Sequence, residues 1–339
     1  MSSIGKRIAI LGLIIGLLGS LAHGDDNTKR VDVLVVVGAA GTDEFGEAFA
    51  QWAEAWKATC ERAELAMQII GPGRADSGTT DKDQLKAVLS GEVSSVSVRP
   101  LWLILIGHGT WDGASADFNL VGPDVNAKEI NAWLDSMQRP LVIVNCTSSS
   151  GPFINRLSGK DRVIVTATKS GSEQNYARFG EYFAAAFGAA DADLDHDDSI
   201  SVREAFLKAA VEVDRFYREQ GRLATEHALL DDNGDRKGSS LSLVLGKATS
   251  KESAAIDGDL AGRFSLPFVD SGIQLTDRQL KTRDDMESQL RALRQRFSQS
   301  NTETQKDQLR QQALPILLKL ANLYHPTEQP SGEPQPVSP

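Results

Sequence analysis

Two cysteines in 339 residues, Cys60 and Cys146, exclude a disulfide framework. A single bond between them would need close Cα approach, and Cys60 falls in a helical pattern; the other reading leaves both thiols free. Positive charge is also short. Thirty-six Lys and Arg stand against 46 Asp and Glu, for a net charge of −10 and a pI near 5.1. That balance argues against nucleic-acid binding. Beyond residue 21 no apolar run approaches the length that spans a bilayer. The glycines at 38 and 41 lack the remaining pattern of a phosphate loop, which argues against nucleotide binding. Ser148, Ser149 and Ser150 lack a Gly-x-Ser-x-Gly elbow, which argues against a serine esterase or transferase.

The N-terminus is a processing segment. Lys6 and Arg7 precede an apolar stretch over 8–21, and Ala22-His23-Gly24 offers small residues for cleavage. Residues 1–24 therefore read as a secretory signal peptide, and the mature chain as periplasmic or secreted, with no stable membrane span. In an exported chain an unpaired cysteine suggests a reactive thiol.

Apolar runs at 31–37, 66–70, 101–106, 141–144 and 162–167 alternate with helical patterns at 43–63, 81–93 and 126–137. Short unbroken apolar runs bounded by turn residues read as strands buried on both faces. The alternation predicts an α/β fold: a doubly wound, mostly parallel sheet with helices on both faces. Further helices are expected at 176–190 and 202–220, and a late strand at 240–245. Residues 25–250 would form this domain. Residues 251–325 read as a linker and a C-terminal helical hairpin, with Pro315 kinking its second helix; the Pro-, Ser- and Glu-rich residues 326–339 read as a disordered tail.

Two of the runs end in residues with chemistry. The first leads into Gly107-His108-Gly109 and the second into Asn145-Cys146, followed by Thr147-Ser-Ser-Ser-Gly151. Loops beyond the carboxyl ends of parallel strands are where open α/β sheets bind ligands. An imidazole and a thiol delivered to one sheet edge have the makings of a nucleophile and its base, because a thiol attacks only as thiolate. The backbone amides of Gly109 and Cys146 are candidate oxyanion donors.

These two blocks, hydrophobic-His-Gly and hydrophobic-Cys, resemble the caspase-like cysteine peptidases that include caspases, legumains and gingipains. The small Ser- and Gly-containing loop after the Cys is similar to the legumain branch. The segments 118–124, 167–171 and 230–235 resemble exported bacterial caspase-like proteins. The resemblance covers roughly residues 31–245. It implies a caspase-like fold and an exported cysteine endopeptidase that hydrolyses protein or peptide bonds through a thioester, with His108 as base and Cys146 as nucleophile. Asn145 departs from the Ala or acidic residue usual before that Cys, and some bacterial members lack a working dyad. The alternative is an inactive caspase-like scaffold that binds protein partners, or a second copy of itself, through the C-terminal hairpin. The acidic Asp112, Glu173, Asp231 and Asp232 near the candidate loops would accept a basic substrate residue, with 231–235 placed near the active-site edge.

A second motif runs from Asp193 to Glu204. With Asp193 at position 1 of a calcium loop, Asp195, Asp197, Ser199, Ser201 and Glu204 fall at positions 3, 5, 7, 9 and 12. The segment resembles an EF-hand loop and implies a structural Ca²⁺. Asp198 stands at position 6, where glycine normally permits the turn. No cofactor is needed for the chemistry itself.

Overall fold

The computed structural model describes residues 30–71, 78–195, 197–246, 257–267, 276–300 and 302–324. The chain divides into two units, Met1–Arg30 and Val31–Pro339. The expected signal peptide, parts of the linker and the tail lie outside the described residues.

The second unit opens with β1 (Val33–Val37), α1 (Asp43–Arg62), β2 (Met67–Ile70) and α2 (Asp81–Glu92). Next come β3 (Leu101–Ile106), the short strands β4 (Gly109–Trp111), β5 (Ala116–Phe118) and β6 (Val125–Asn126), then α3 (Ala127–Leu134) and β7 (Leu141–Asn145). They are followed by α4 (Ile154–Leu157), β8 (Arg162–Thr166), α5 (Phe179–Ala186), β9 (Ser199–Ser201) and α6 (Val202–Glu219). The chain continues through β10 (Leu229–Asp231), β11 (Ser239–Ser240), α7 (Leu241–Val244) and β12 (Ser265–Pro267) to α8 (Asp277–Gln299) and α9 (Glu303–Tyr324).

Seven strands form the main sheet in the order β11-β10-β8-β7-β3-β1-β2. β2, β1, β3, β7 and β8 run parallel; β10 is antiparallel to β8, and β11 to β10. The chain winds outward from β1 to β2 on one side and from β3 through β7 to β8 on the other. A topological switch point therefore lies between β1 and β3.

The central strands are apolar except at their ends because both of their faces are covered. Val33, Val35, Trp102, Ile104, Ile106, Val142, Val144, Val163 and Val165 face one core with Phe49, Trp52 and Trp56 of α1, Phe183 of α5 and Phe206 of α6. The intervening Leu34, Val36, Leu101, Leu103, Leu105, Leu141, Ile143 and Ile164 face the other, with Leu85 and Leu89 of α2 and Ile130 of α3. Burial of one such side chain contributes about 1.5–3 kcal/mol.

The opposite, N-terminal edge is fastened by Arg139, whose side chain is fully buried. It donates to Val31 O at 2.9 Å, Pro100 O at 2.9 Å and Arg99 O at 3.2 Å, and pairs with Glu92 at 2.8 Å.

Three elements differ from the sequence reading. In place of a strand at 240–245, the two-residue β11 ends at Ser240 and α7 follows, Leu241 and Val244 packing on the α6 side at helical spacing. Helix α5 begins at Phe179 because the Glu226 carboxylate accepts from the amides of Arg178 and Phe179 and so caps it there. The small sheet β4-β5-β6 was not foreseen, its strands being too short for a period to register. The hairpin is present: α8 packs on α9, with Met286 and Leu309 buried and Leu314, Leu317 and Leu318 exposed. α9 continues through Pro315 as a single helix. No helix among the described residues is long and apolar enough to cross a membrane.

Candidate active site

The loops after β1 and β3 meet at the switch point, and His108 joins them. Its Nε2 lies 3.1 Å from the carbonyl oxygen of Ala40. A carbonyl only accepts, so in the neutral imidazole the proton sits on Nε2 and the lone pair on Nδ1. The ring is held edge-on by Phe45 at 4.6 Å and Phe49 at 5.2 Å, with Tyr176 at 6.4 Å.

Cys146 sits differently. Its side chain continues the alternation of Val142 and Val144 into the aromatic core and is 1% exposed. Helix α5 covers it: a Cβ placed on Gly180 would lie 2.6 Å from Cys146 Cβ, 3.0 Å from its Sγ and 2.8 Å from the Trp52 ring. Burial pushes the thiol up to about 12. Among the described residues no hydrogen bond joins Cys146 Sγ to His108. The Cys146 amide is also engaged, donating to Leu105 O at 2.9 Å in the β3–β7 ladder. It is therefore turned away from any oxyanion. Cys60 is free, buried and likewise pushed up to about 12, mainly by burial.

Ser148 stands in front of the His-Gly segment. The Gly109 amide donates to Ser148 Oγ at 3.3 Å, and that hydroxyl donates to Gly109 O at 3.1 Å. A Cβ on Gly109 would lie 2.3 Å from Ser148 O, so the two loops touch backbone to backbone. The rest of the serine loop is tied down. Asn145 Oδ1 accepts from Thr147 N and Oγ1, and Ser149 donates from N to Glu173 O and from Oγ to Gly171 O. Ser150 Oγ meets Thr168 Oγ1 at 3.1 Å. The sequence held a signal for these serines in their number, but none for which one meets Gly109.

The four acidic residues read as substrate contacts divide between the two edges. Glu173 lies beside the serine loop, but its carboxylate is occupied by the Lys169 and His227 amides and by His227 Nδ1 at 2.5 Å. Asp112 closes the exposed β4–β5 turn by accepting from the amides of Ala114 and Ser115, which hold its carboxyl below the usual range. Asp231 and Asp232 correct the expectation of an active-site position for 231–235. Strand β10 runs antiparallel to β8, with Leu229 opposite Thr166 and Asp231 opposite Ile164, so it carries them toward the N-terminal edge. There Asp231 accepts from Ser158 Oγ and Gly234 N, and Asp232 from Gly258 N and Ala261 N. Both pin loops. Asp257 joins them, accepting from Asp232 N and Ser239 Oγ; burial pushes its carboxyl up to about 7, with the Asp232 and Asp231 charges adding to it.

The acidic loop follows α5. Phe187, at the end of that helix, meets Trp102 at the start of β3 edge to face, which puts the loop on the sheet edge opposite His108. Carboxylate oxygens of Asp193, Asp195 and Asp197 lie within 4.8 Å of one another. Asp198 has φ of +62°, the left-handed turn expected at position 6. Burial and the Asp195 charge push the Asp197 carboxyl up to about 7. Ser199 and Ser201 lie in β9, paired with β12. Glu204 is engaged locally: Oε1 accepts from Leu194 N, and Oε2 from Ser201 N and Oγ, the capping box that starts α6. The aspartates also bond within the loop, Asp193 accepting from the Asp197 and Asp198 amides and Asp197 from Ser199 N, while Glu204 and Ser201 cap the helix.

No family model and no curated protein sequence matches the chain. Among solved structures it is similar to the crystal structure of the Drosophila initiator caspase Dronc, at 14% identity and a TM-score of 0.39, over 62% of this chain and 83% of that one. At that distance the likeness carries no argument. The α/β architecture rests on the strand order and register above.

Proposed function

We propose that this chain is an exported, non-hydrolytic α/β scaffold that binds protein partners, built on the caspase-like pattern its sequence resembles. One observation carries this reading: the Cys146 thiol lies under α5 in the aromatic core. A buried, protonated thiol is not a nucleophile. The hairpin is the candidate binding element, since α9 presents Leu314, Leu317 and Leu318 to solvent at spacings of one helical turn.

A hydrolytic reading is favoured by the Nε2–Ala40 bond, which leaves Nδ1 as a base. The nucleophile of the resemblance is Cys146; the hydroxyl nearest the Gly109 amide is Ser148. Peptidyl acyloxymethyl ketones bearing Arg, Asn or Asp, with and without calcium, together with a fluorophosphonate, separate the readings. The scaffold predicts no labelling by either class. Ketone labelling lost in Cys146→Ala would establish a thiol peptidase, and fluorophosphonate labelling lost in Ser148→Ala a serine hydrolase.

The loop at 193–204 is proposed to take a structural Ca²⁺. Weak extracellular-type sites bind at about 10⁻⁴–10⁻³ M. Calcium at tenfold to hundredfold excess would then stabilise the fold by about 1.5–3 kcal/mol. The melting temperature should rise by roughly 3–10 °C, reversibly with chelator and not in Asp195→Asn. A melting curve indifferent to calcium would refute the site.

A further inference from the structure

A cavity of about 370 Å³ opens at the N-terminal edge of the sheet, where β7 and β8 begin. Four cationic side chains line it, Arg139, Lys160, Arg162 and Arg263, with Asp161 as the one acidic residue of the lining. In a chain of net charge −10 this is a local reversal of sign. The four cations are not equivalent. Arg139 is neutralised by Glu92 at 2.8 Å and Asp32 at 3.5 Å. Arg162 donates only to neutral oxygens: Asn131 Oδ1 at 2.7 Å, Leu157 O at 3.1 Å and Leu134 O at 3.2 Å. Burial lowers its pKa, against the opposing charge of Asp135. Arg263 Nε is buried and has no hydrogen-bond partner. Among the described residues neither Arg162 nor Arg263 forms an ion pair. Lys160 reaches only Asp161, at 3.8 Å, in an exposed contact.

A buried guanidinium donor left unpaired is destabilising unless something accepts from it. Guanidinium groups present planar, forked donors that match the oxygens of a carboxylate or phosphate. Leu141, Leu260 and Phe264 give the wall apolar patches beside the polar Ser97 and Gln138. The volume is that of a small-molecule site, in which a few fixed polar groups orient an apolar body.

We propose that this cavity binds a small organic anion, its carboxylate or phosphate oxygens seated on Arg263 and Arg162 and its apolar body on Leu260 and Phe264. The site lies on the edge opposite His108 and stands whether or not the scaffold reading holds. Phenyl phosphate and phthalate represent the two headgroups, and benzamide is the neutral control. Isothermal titration of the purified chain in physiological salt should give saturable binding of at least one anion, and none of benzamide. Arg263→Gln should weaken it about tenfold, the loss of one charge-assisted contact, while melting as the wild type does. Lys160→Gln, at the solvent rim, should change it no more than about threefold. Binding of one anion but not the other supports the site and names its headgroup. No saturable binding of either anion, equal binding of benzamide, or unchanged affinity in Arg263→Gln would overturn the proposal.

Discussion

Native protein treated with a thiol reagent at neutral pH should show essentially no labelling, and in denaturant both cysteines should react at once. Raising a thiol from 9.0 to about 12 lowers its thiolate population about a thousandfold, and the covering of Cys146 by Gly180 and Trp52 slows access further. The native rate should therefore fall at least a thousandfold below that of the denatured chain. Mass spectrometry after timed alkylation reads the two sites separately. Rapid modification of Cys146 in the folded protein would mean that α5 lifts from it, and the scaffold reading would fail. Slow modification of both sites, at rates that track global unfolding, would place the thiol in the rigid core.

Replacing Arg139 by Met should destabilise the fold by about 3–5 kcal/mol, the effect of removing one member of a buried ion pair. The guanidinium joins the approaches to β1 and β3 and the last turn of α2 through Val31 O, Arg99 O, Pro100 O and Glu92. Its loss leaves three carbonyls without this donor and Glu92 as a nearly buried charge. Urea denaturation should show the midpoint fall at an unchanged slope, and melting should drop by roughly 6–20 °C. Replacing Glu92 by Met as well should recover part of the loss, because the lone charge disappears with it. A single variant within about 1 kcal/mol of the wild type would show that the clamp is not needed.

The parallel sheet was readable because its strands are uninterrupted apolar runs separated by helical patterns. The end of β3 was readable too, and it put His108 beside the switch point. The place of the Cys146 thiol was written in the alternation of Val142, Val144 and Cys146, yet hard to see. In a strand covered on both faces, apolar residues fill both parities and no polar residue marks the outside. Which loop side chain would then meet Gly109 depends on how two irregular segments fold against each other, and no period describes that. Asp231 and Asp232 were misplaced because a three-residue strand carries no signal of direction. In the acidic loop the difficulty was a shared spelling. Ser201-Val-Arg-Glu204 serves equally as positions 9 to 12 of a calcium loop and as a capping box. That the three aspartates come together was legible from spacing; that Glu204 caps α6 was not.

Gly109 and Gly180 allow one segment to lie directly on another, and this bears on how the protein can diverge. A methyl group at either position has nowhere to go without shifting a loop or a helix, so both sites are closed to gradual enlargement. Ser148, against Gly109, is small and replaceable in kind. Variation at this edge is therefore channelled into exchanges of one small side chain for another, with the surrounding backbone kept. A lineage carrying this edge could lose or regain a reactive group by a single codon change, and the fold would not record which had happened.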